Sequence, residues 1–483
     1  MEREAWRKKI EDGIWRAAAA LRGTMPPAQY REVILDLVFL KYVSEQKKAG
    51  KAKILIPEKA CWDRIITEEA SERLQIQILE ALQLLETANP SLKDVFFKYA
   101  FSQELDHRRL AETVRIIDCF DFGSLLTGDM EGLDVFGTVY EYCLDKFEAQ
   151  NNYGGEFYTP PGVIKILVEI LRPTEGIVYD PCCGSGNLLV QAARYSGKNR
   201  ERQKPLRLVG QDSNPCAWRI AKMNFMIEGL DADLGTSAAD IFFEDLHQGL
   251  QADYILANPP FNQSSWGFEE LRDDDRWVYG LPSPGNGNFA WLQHMLCHLG
   301  EGGRLGLVLS NGSLSSTYHQ ESVIRKNIVQ ADLLDCIIAL PPKLFYTTQM
   351  PASLWFLTKK KKQKNKTLFL DAEGLGVKIS RKYWKLTEEE LKKIILAYWA
   401  FQEGKQVEEE GFCHVAETDQ ISENHYVLTP GRYIKAAPRK WEEEEELSVL
   451  VEKLEKMFEE NQRLQNRILD GLRQFTQQTS EDK

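Results

Sequence analysis

The sequence predicts an α/β protein with a helical N-terminal domain and a C-terminal helical tail. Three observations lead to this prediction. Helical patterns with few β-branched runs fill residues 1–140, short apolar runs alternate with helical stretches from about 150 to 360, and a heptad pattern begins at Leu447. Alternation of strands and helices is typical of a parallel sheet covered by helices on both faces.

The length and composition are those of a globular protein. The chain has 483 residues, 43% of them hydrophobic, and at roughly 150 residues per domain this indicates about three folding units. No apolar run reaches the roughly 18 residues that a membrane span needs, and the charged N-terminus lacks the apolar core of a signal peptide. Nine scattered cysteines, with no C-x-x-C pair, favour a reducing cytoplasm and no metal site.

The charge balance bears on nucleic-acid binding. The 60 basic and 72 acidic residues give a net charge of −12. A protein that binds DNA alone by neutralising phosphates is normally basic, at least locally. Any nucleic-acid chemistry of this chain is therefore expected to rely on a partner.

Changes in pattern along the chain predict four segments. We expect a helical domain at 1–140, a catalytic domain at 141–366, an α/β extension at 367–440 and an amphipathic or coiled-coil helix at 441–483. The first segment contains helical patterns at Trp6–Leu21, Tyr30–Glu45, Ile65–Leu85 and Leu105–Ile117, and another follows at Asp134–Gln150. The last helix places Leu447, Leu454, Asn461, Ile468 and Phe475 at one heptad position and Leu450, Met457 and Leu464 at the other. Packing against a partner helix is the prediction for this stripe, and a lone amphipathic helix is the alternative.

A glycine turn follows the predicted strand Ile177–Tyr179. Asp180 ends this strand, Gly184-Ser185-Gly186 forms the turn, and a helical pattern begins at Leu188. Glycines let the backbone approach a ligand closely, and a helix N-terminus offers unpaired N–H groups. A turn of this kind is equally often only structural, so it needs further context.

Two further acidic residues follow predicted strands. Asp212 lies at the end of the predicted strand that begins at Leu206, 26 residues after Gly186. A carboxylate in this position can accept hydrogen bonds from both ribose hydroxyls of a nucleoside cofactor. The alternative for Asp212 is a helix N-cap, a role that Ser213 or Asn214 could also fill. Asp240 follows at a distance in the sequence that would let it meet the amino group of an adenine, although this position is a less specific signal than that of Asp212.

The tetrapeptide Asn258-Pro259-Pro260-Phe261 carries the most specific signal. It ends the apolar strand Tyr254–Ala257, and its two prolines stop the strand and stiffen the loop. A stiff loop would hold the Asn258 side-chain oxygen and the Pro259 carbonyl as two fixed acceptors for the hydrogens of a planar amino group. Phe261 could stack on the ring that bears this amine. A plain proline-rich turn is the alternative.

In this order, the motifs resemble those of the amino-group methyltransferases that use S-adenosylmethionine. Gly154–Pro161 resembles the segment that touches the methionine end of the cofactor in adenine-N6 DNA methyltransferases. The whole chain is most similar to the modification (methyltransferase) subunit of type I restriction–modification systems. Further similarities lie at Gly285–Trp291, Gly302–Arg304 and Leu340–Phe345. Asp212 departs from the more frequent Glu, which shortens the reach of the carboxylate.

This resemblance implies a Rossmann-like S-adenosylmethionine-dependent methyltransferase sheet. The residues implied to bind the cofactor are Glu156, Phe157, Tyr158, Thr159, Pro160, Pro161, Asp180, Gly184, Ser185, Gly186, Asp212 and Asp240. The residues implied in catalysis are Asn258, Pro259, Pro260 and Phe261. The implied reaction is methylation of adenine N6 in DNA, on a base swung out of the duplex.

The resemblance also implies partners. These are a specificity subunit that recognises the DNA sequence, a restriction subunit with translocase and nuclease activity, and double-stranded DNA, with two copies of this chain per specificity subunit. No P-loop motif occurs in this sequence, so ATP-driven translocation is expected in another chain. Two alternatives stay open at this point: methylation of another planar amine, such as a protein glutamine amide, and a catalytically silent assembly module.

Overall fold

The computed structural model divides the chain into two units, Met1–Lys435 and Ala436–Lys483. The residues that the structure describes are 2–23, 25–67, 73–101, 106–123, 138–139, 142, 159–198, 205–345, 350–379, 383–436, 451–452 and 454–466.

The N-terminal part of the first unit is helical, as predicted. Its helices are α1 (Glu2–Leu21), α2 (Pro27–Lys48), α3 (Trp62–Thr67), α4 (Leu74–Ala88) and α5 (His107–Asp118). The single helix predicted over Ile65–Leu85 is wrong, because α3 ends at Thr67 and α4 begins at Leu74. The predicted helix Asp134–Gln150 lies almost entirely outside the described residues.

A nine-stranded mixed sheet forms the centre of the unit, with strand order β11-β8-β6-β7-β5-β4-β1-β2-β3. The strands are β1 (Ile177–Asp180), β2 (Arg207–Gly210), β3 (Ala232–Asp233), β4 (Ala252–Ala257), β5 (Leu299–Ser310), β6 (Leu334–Ala339), β7 (Ala352–Thr358), β8 (Lys366–Asp371) and β11 (Cys413–Glu417). A separate two-stranded ribbon joins β9 (Val377–Lys378) and β10 (Trp384–Lys385).

The strand directions determine where a ligand can bind. Strands β3, β2, β1, β4 and β5 are parallel, whereas β7 runs antiparallel to both β5 and β6. The α/β prediction is confirmed, and the expectation of an entirely parallel sheet is corrected at β7 and at β11, which is antiparallel to β8. The strand order reverses between β1 and β4, and such a reversal opens a crevice at the carboxyl ends of the strands.

Helices cover both faces of the sheet. One face packs against α6 (Pro161–Leu171), α7 (Asn187–Lys198), α8 (Pro215–Glu228) and α12 (Glu388–Gln402). The other packs against α9 (Asn288–His298), α11 (His319–Gln330) and α13 (Thr418–Glu423), and the short helix α10 (Gly312–Ser315) follows β5. Almost every residue of α9 is buried, which makes this helix a rigid support beneath β5.

Helix α8 belongs to two cores at once. Its residues Ala221 and Phe225 face the sheet, whereas Ala217, Ile220 and Met223 join the core of the N-terminal helices. The N-terminal helices therefore pack directly on the helix that follows β2, beside the reversal of strand order.

The second unit is described at Ala436 and at residues 451–452 and 454–466, and the last two stretches are helical. Apolar side chains in this stretch, including Leu454, Met457 and Leu464, are about half exposed or more. The helices in the described part of the chain include none that combines the length and the hydrophobicity of a membrane span.

Candidate active site

The carboxyl ends of β1 and β4 lie side by side. The two strands pair in parallel, with Val178 opposite Tyr254 and Tyr179 opposite Ile255. Asp180 ends β1, and Asn258 directly follows β4. The fold therefore brings the acidic residue of the glycine turn and the first residue of the tetrapeptide to the same crevice, although they are 78 residues apart in the sequence.

The glycine turn needs both of its glycines, for different reasons. Gly186 has a φ of +77°, and a Cβ at this position would lie 2.8 Å from the ring of Phe225 in α8. Gly184 has a φ of +53°, but a Cβ there would meet no described atom within 4 Å. Gly186 thus allows α8 to pack closely, whereas no described atom fills the space beside Gly184.

Asp180 is a buried acid whose two carboxylate oxygens differ in their hydrogen bonding to the described residues. Its Oδ1 accepts a hydrogen bond from the Cys182 backbone N–H at 3.1 Å. Its Oδ2 is buried and has no hydrogen-bond partner among the described residues. Burial raises the pKa of Asp180 to about 7, and the charge of Asp212 adds to this effect. A buried carboxylate oxygen without a partner is unfavourable, so a cationic or N–H ligand fits here.

Asp212 joins the glycine turn to the end of β2. Its Oδ2 accepts from the Gly184 backbone N–H at 2.8 Å, and its Oδ1 accepts from the Asn214 N–H at 2.8 Å. The cap of α8 is Asn214, whose Oδ1 accepts from the N–H groups of Cys216 and Ala217. Of the two roles weighed for Asp212, the N-cap is therefore filled by Asn214.

The segment that carries Asp240 lies beside Asp212. The Ala239 N–H donates to the Asp212 carbonyl at 3.0 Å, and Asp240 Oδ1 accepts from the Phe242 N–H. Gln211, which the sequence reasoning did not select, holds this segment, because its Nε2 donates to the carbonyls of Ala239 and Glu244. Its position in the sequence, between β2 and Asp212, is the feature from which a role at the site could have been predicted.

Asn258 and Thr159 are in direct contact. Asn258 is 9% exposed, and its Nδ2 donates to Thr159 Oγ1 at 3.1 Å. Thr159 and Pro160 lie just before α6, which begins at Pro161. The predicted neighbours Glu156, Phe157 and Tyr158 lie outside the described residues. The structure thus places the end of the Gly154–Pro161 segment against the tetrapeptide.

The rest of the tetrapeptide is packed into the protein. Pro259 is buried, Pro260 is half-buried, and the Phe261 ring is 6% exposed. The edge of the Phe261 ring meets Phe345 with the centroids 5.9 Å apart. Phe345 belongs to the Leu340–Phe345 segment, so this third similar segment also reaches the site. Gly302–Arg304 does not, because Arg304 instead binds the carbonyls of Ile170 and Leu171 in α6.

Asp245, His294 and His298 form the one group of potential metal ligands in the described part of the chain. Hydrogen bonds account for this cluster without an ion. His298 Nε2 contacts Asp245 Oδ2 at 2.8 Å, and Arg276 donates to His294 Nδ1 at 3.2 Å. Burial lowers the pKa of His294 well below its usual value, so the ring is neutral. With Nδ1 accepting, the ring hydrogen lies on Nε2, and neither nitrogen offers a lone pair to a metal.

Comparisons with known proteins agree on one family. The model described as N-6 DNA Methylase matches residues 131–444, and the model described as HsdM N-terminal domain matches residues 10–117. The Type I restriction enzyme HindI methylase subunit of Haemophilus influenzae is 42% identical over 63% of this chain and 69% of its own length. The Type I restriction enzyme MjaIX methylase subunit of Methanocaldococcus jannaschii is 34% identical over 96% of this chain and 91% of its own length.

A solved structure has the same fold. The methyltransferase subunit of the type I restriction-modification system from Streptococcus thermophilus superposes with a TM-score of 0.71 at 23% identity, over 89% of this chain and 100% of that one. The chain therefore belongs to the N-6 DNA methylase family as a type I modification subunit, and it is an adenine-specific DNA methyltransferase that uses S-adenosylmethionine.

Proposed function

We propose that methyl transfer to adenine N6 takes place in the crevice between β1 and β4, with Asn258 as the catalytic residue. The supporting observation is the juxtaposition of two strand ends, one carrying Asp180 and the glycine turn and the other carrying Asn258. A donor bound at the first and an amine bound at the second would be neighbours. Catalysis here consists mainly of positioning the two reactants.

The residues present fit the cofactor. Asp180 Oδ2, buried and without a described partner, suits the α-amino group of the methionine end. The open space above Gly184 leaves room for a ligand against the backbone. The Asp212 carboxylate lies at the end of β2 and is bonded to the Gly184 N–H of the glycine turn, so it is assigned to the ribose hydroxyls of a cofactor bound at this turn.

The remaining cofactor contacts come from the segments on either side of this turn. Asp240 lies next to Asp212 and is assigned to the adenine of the cofactor, and Ser185 and Gly186 line the turn. Thr159, Pro160 and Pro161, with Glu156, Phe157 and Tyr158 before them, are assigned to the methionine end. When bound, S-adenosylmethionine supplies a methyl group on a positively charged sulfur.

The tetrapeptide holds the target amine. The Asn258 Oδ1 and the Pro259 carbonyl accept the two N6 hydrogens, which favours a pyramidal nitrogen with its lone pair available for attack. Pro260 keeps the loop stiff, and Phe261 provides an apolar wall for the base. The amine would present this lone pair to the methyl group that the bound cofactor would supply, and the methylated nitrogen would then release one proton to solvent. A base inside a duplex cannot reach this crevice, so it must be flipped out.

Substitution of Asn258 tests this assignment. Asn258→Ala removes one acceptor and is expected to abolish methylation while the Kd for S-adenosylhomocysteine stays within about threefold of the parent value. The assay incubates the complex with its specificity subunit, tritiated cofactor and unmethylated genomic DNA, and it maps the label to N6-methyladenine. Retained activity in the variant would exclude Asn258 as the catalytic residue. The family assignment already favours DNA as the substrate over the glutamine-amide and silent-module alternatives.

We further propose that the chain works in a complex with a specificity subunit and a restriction subunit on double-stranded DNA, with two copies per specificity subunit. The curated relatives are named as subunits, and the net charge of −12 is unfavourable for DNA binding by this chain alone. Leu454, Met457 and Leu464 share the apolar stripe of the last helix and are exposed within their own unit. We assign this helix to docking on the specificity subunit.

Charge placed in the apolar stripe tests the docking assignment. Leu454→Asp with Met457→Asp in the full-length chain is expected to prevent co-purification with the specificity subunit and to leave the cofactor Kd unchanged. Lys456→Asp, which changes a charged position of the same helix, is the matched control and should still assemble. Assembly of the double variant at parental affinity would refute docking through this stripe. High methylation efficiency by the isolated chain at a defined DNA site would refute the dependence on a specificity subunit.

A further inference from the structure

Asn262, directly after the tetrapeptide, adopts an uncommon backbone conformation. Its φ is +54°, in the left-handed region that most residues other than glycine avoid. Asparagine tolerates this conformation better than most residues, but surrounding contacts must hold it in place. Asn288 bonds both the backbone and the side chain of Asn262, and Ser310 and Asn286 also donate to the side-chain oxygen of Asn262.

Asn288 and Asn262 form a reciprocal pair. The Asn262 backbone N–H donates to Asn288 Oδ1 at 2.9 Å, and Asn288 Nδ2 donates to Asn262 Oδ1 at 2.9 Å. Ser310, the last residue of β5, donates from Oγ to the same Asn262 oxygen at 3.0 Å. Both the backbone and the side chain of Asn262 are therefore fixed by buried groups.

Asn288 itself is held rigidly. It is 1% exposed and is the first residue of the buried helix α9. Its Nδ2 also reaches Ser313 Oγ at 2.9 Å, and its backbone N–H donates to Asn286 Oδ1 at 3.0 Å. A buried amide with all of its groups bonded in this way defines one arrangement of its neighbours.

A second connection ties the same two segments together. The backbone N–H of Gly287, next to Asn288, donates to the carbonyl of Gln263, next to Asn262, at 2.8 Å. The start of the tetrapeptide is fixed by the pairing of β4 with β1 and β5, and its exit is fixed at Asn262. Only four residues lie between the two fixed ends.

We propose that Asn288 is a positioning residue for methyl transfer, acting through Asn262 to hold the tetrapeptide in the shape that places the Asn258 and Pro259 oxygens. The proposal rests on the assignment of Asn258 as the catalytic residue. Asn288 belongs to the Gly285–Trp291 segment, which resembles the modification subunits in sequence but for which the sequence predicted no function. Because a displacement of about 1 Å at a reacting centre can lower a rate by 10²-fold, a loosened exit is expected to act on the rate.

The test compares single-turnover methylation rates in the complex with its specificity subunit, at saturating S-adenosylmethionine and on unmethylated genomic DNA. Asn288→Ala is expected to lower the rate about 10²-fold. The Kd for S-adenosylhomocysteine is expected to stay within about twofold, because Asp180, the glycine turn and Asp212 lie at the ends of β1 and β2, away from Asn262 in the sequence. Asn262→Gly accepts the positive φ but removes the side-chain half of the pair, and it is expected to lower the rate about tenfold.

Two substitutions serve as matched controls. Asn89→Ala removes another buried, reciprocal asparagine, whose side chain bonds both the N–H and the carbonyl of Leu55 in the N-terminal part. Asn365→Gly changes another asparagine with a φ of +57°, away from the crevice. The controls are expected to keep the parental single-turnover rate even where they lower the melting temperature.

The double variant Asn288→Ala with Asn262→Gly identifies the route of the effect. If Asn288 acts through Asn262, the double variant loses little more than Asn288→Ala alone. The proposal would be overturned if the rate losses of the two single variants multiplied in the double variant. It would also be overturned if the folded Asn288→Ala enzyme kept a rate within threefold of the parent, or if this substitution raised only the cofactor Kd. Should Asn288→Ala fail to fold, Asn262→Gly decides alone, since it alters an exposed residue. Full loss in Asn258→Ala with no loss in either of these variants would refute only the positioning proposal.

Discussion

The side chain of Asn258 donates a hydrogen bond from Nδ2 to Oγ1 of Thr159 at 3.1 Å, which joins the end of β4 to the segment just before α6. The amide of Asn258 can rotate about the bond to its Cβ. A fixed hydroxyl partner restricts this rotation. Thr159, assigned to the cofactor by resemblance, therefore also contacts the proposed catalytic side chain.

Removing the Thr159 hydroxyl is expected to slow methyl transfer. Thr159→Val keeps the shape of the side chain but loses the bond to Asn258, and a bond worth about 1 kcal/mol corresponds to a rate about fivefold to tenfold lower. Thr159→Ser retains the hydroxyl and should restore most of the rate. Single-turnover rates at saturating cofactor separate this effect from any change in cofactor affinity. An unchanged rate in Thr159→Val would show that the bond does not orient Asn258 during catalysis.

The two glycines of the turn are expected to respond differently to alanine. Gly186→Ala would place its Cβ 2.8 Å from the Phe225 ring at a φ of +77°, so the free energy of unfolding should fall by about 2–4 kcal/mol. Gly184→Ala meets no described atom, so its loss of stability should be smaller, about 1–2 kcal/mol. Its methyl group would instead enter the space assigned to the cofactor and raise the cofactor Kd.

Urea denaturation and calorimetric titration with S-adenosylhomocysteine check both variants. The expected pattern is the larger stability loss in Gly186→Ala and the larger relative loss of cofactor affinity in Gly184→Ala. Equal stability losses in the two variants would contradict the close packing of Gly186 against α8.

The local features of the catalytic part could be predicted from the sequence. The apolar runs at Ile177–Tyr179 and Tyr254–Ala257 are the strands β1 and β4, and the polar residues that follow them lie at the crevice. A strand pattern depends on the alternation and length of apolar residues, which are local properties. The direction of β7 could not be predicted in this way, because an apolar run has the same pattern in either direction.

Hydrogen bonds between residues far apart in the sequence could not be predicted either. Asn262 and Asn288 are 26 residues apart, and nothing in either segment specifies that the two amides bond each other. The choice between Asp212 and Asn214 as the cap of α8 was also undetermined, since both residue types cap helices well. The structure resolves it because the Asp212 carboxylate is bonded to Gly184, in a turn that begins on a different strand.

Asp212→Asn is expected to weaken the cofactor site and the turn together. Both carboxylate oxygens accept backbone N–H groups, and an asparagine has only one oxygen, so its NH2 group would face an N–H donor. We expect a loss of about 1–3 kcal/mol in the free energy of unfolding and a cofactor Kd at least tenfold higher. Asp233→Asn, at the edge strand β3, is the control: it weakens an exposed ion pair with Arg207, so stability should change by less than about 1 kcal/mol and the cofactor Kd should not change. A parental Kd in Asp212→Asn would exclude this carboxylate from the cofactor site.

Cofactor binding is expected to depend on the ionisation of Asp180. Burial raises the pKa of this carboxyl to about 7, so the unbound site holds a neutral acid below pH 7 and a carboxylate above it. If the α-ammonium group of the cofactor binds Asp180 Oδ2, binding requires the carboxylate, and acidic solutions oppose it. The Kd for S-adenosylhomocysteine should therefore rise about tenfold or more between pH 7.5 and pH 5.5, since each pH unit below the pKa adds up to tenfold.

Calorimetric titration in buffers of different ionisation enthalpy measures the proton that this linkage requires. Near pH 6 the parent chain should release close to one proton as it binds the cofactor, because the neutral Asp180 must ionise. Asp180→Asn cannot ionise, so it should bind more weakly at pH 7.5, release no proton and show a nearly flat Kd over the same range. An affinity in the parent chain that is constant or increases on acidification would place the ammonium group elsewhere and leave Asp180 Oδ2 without its proposed ligand.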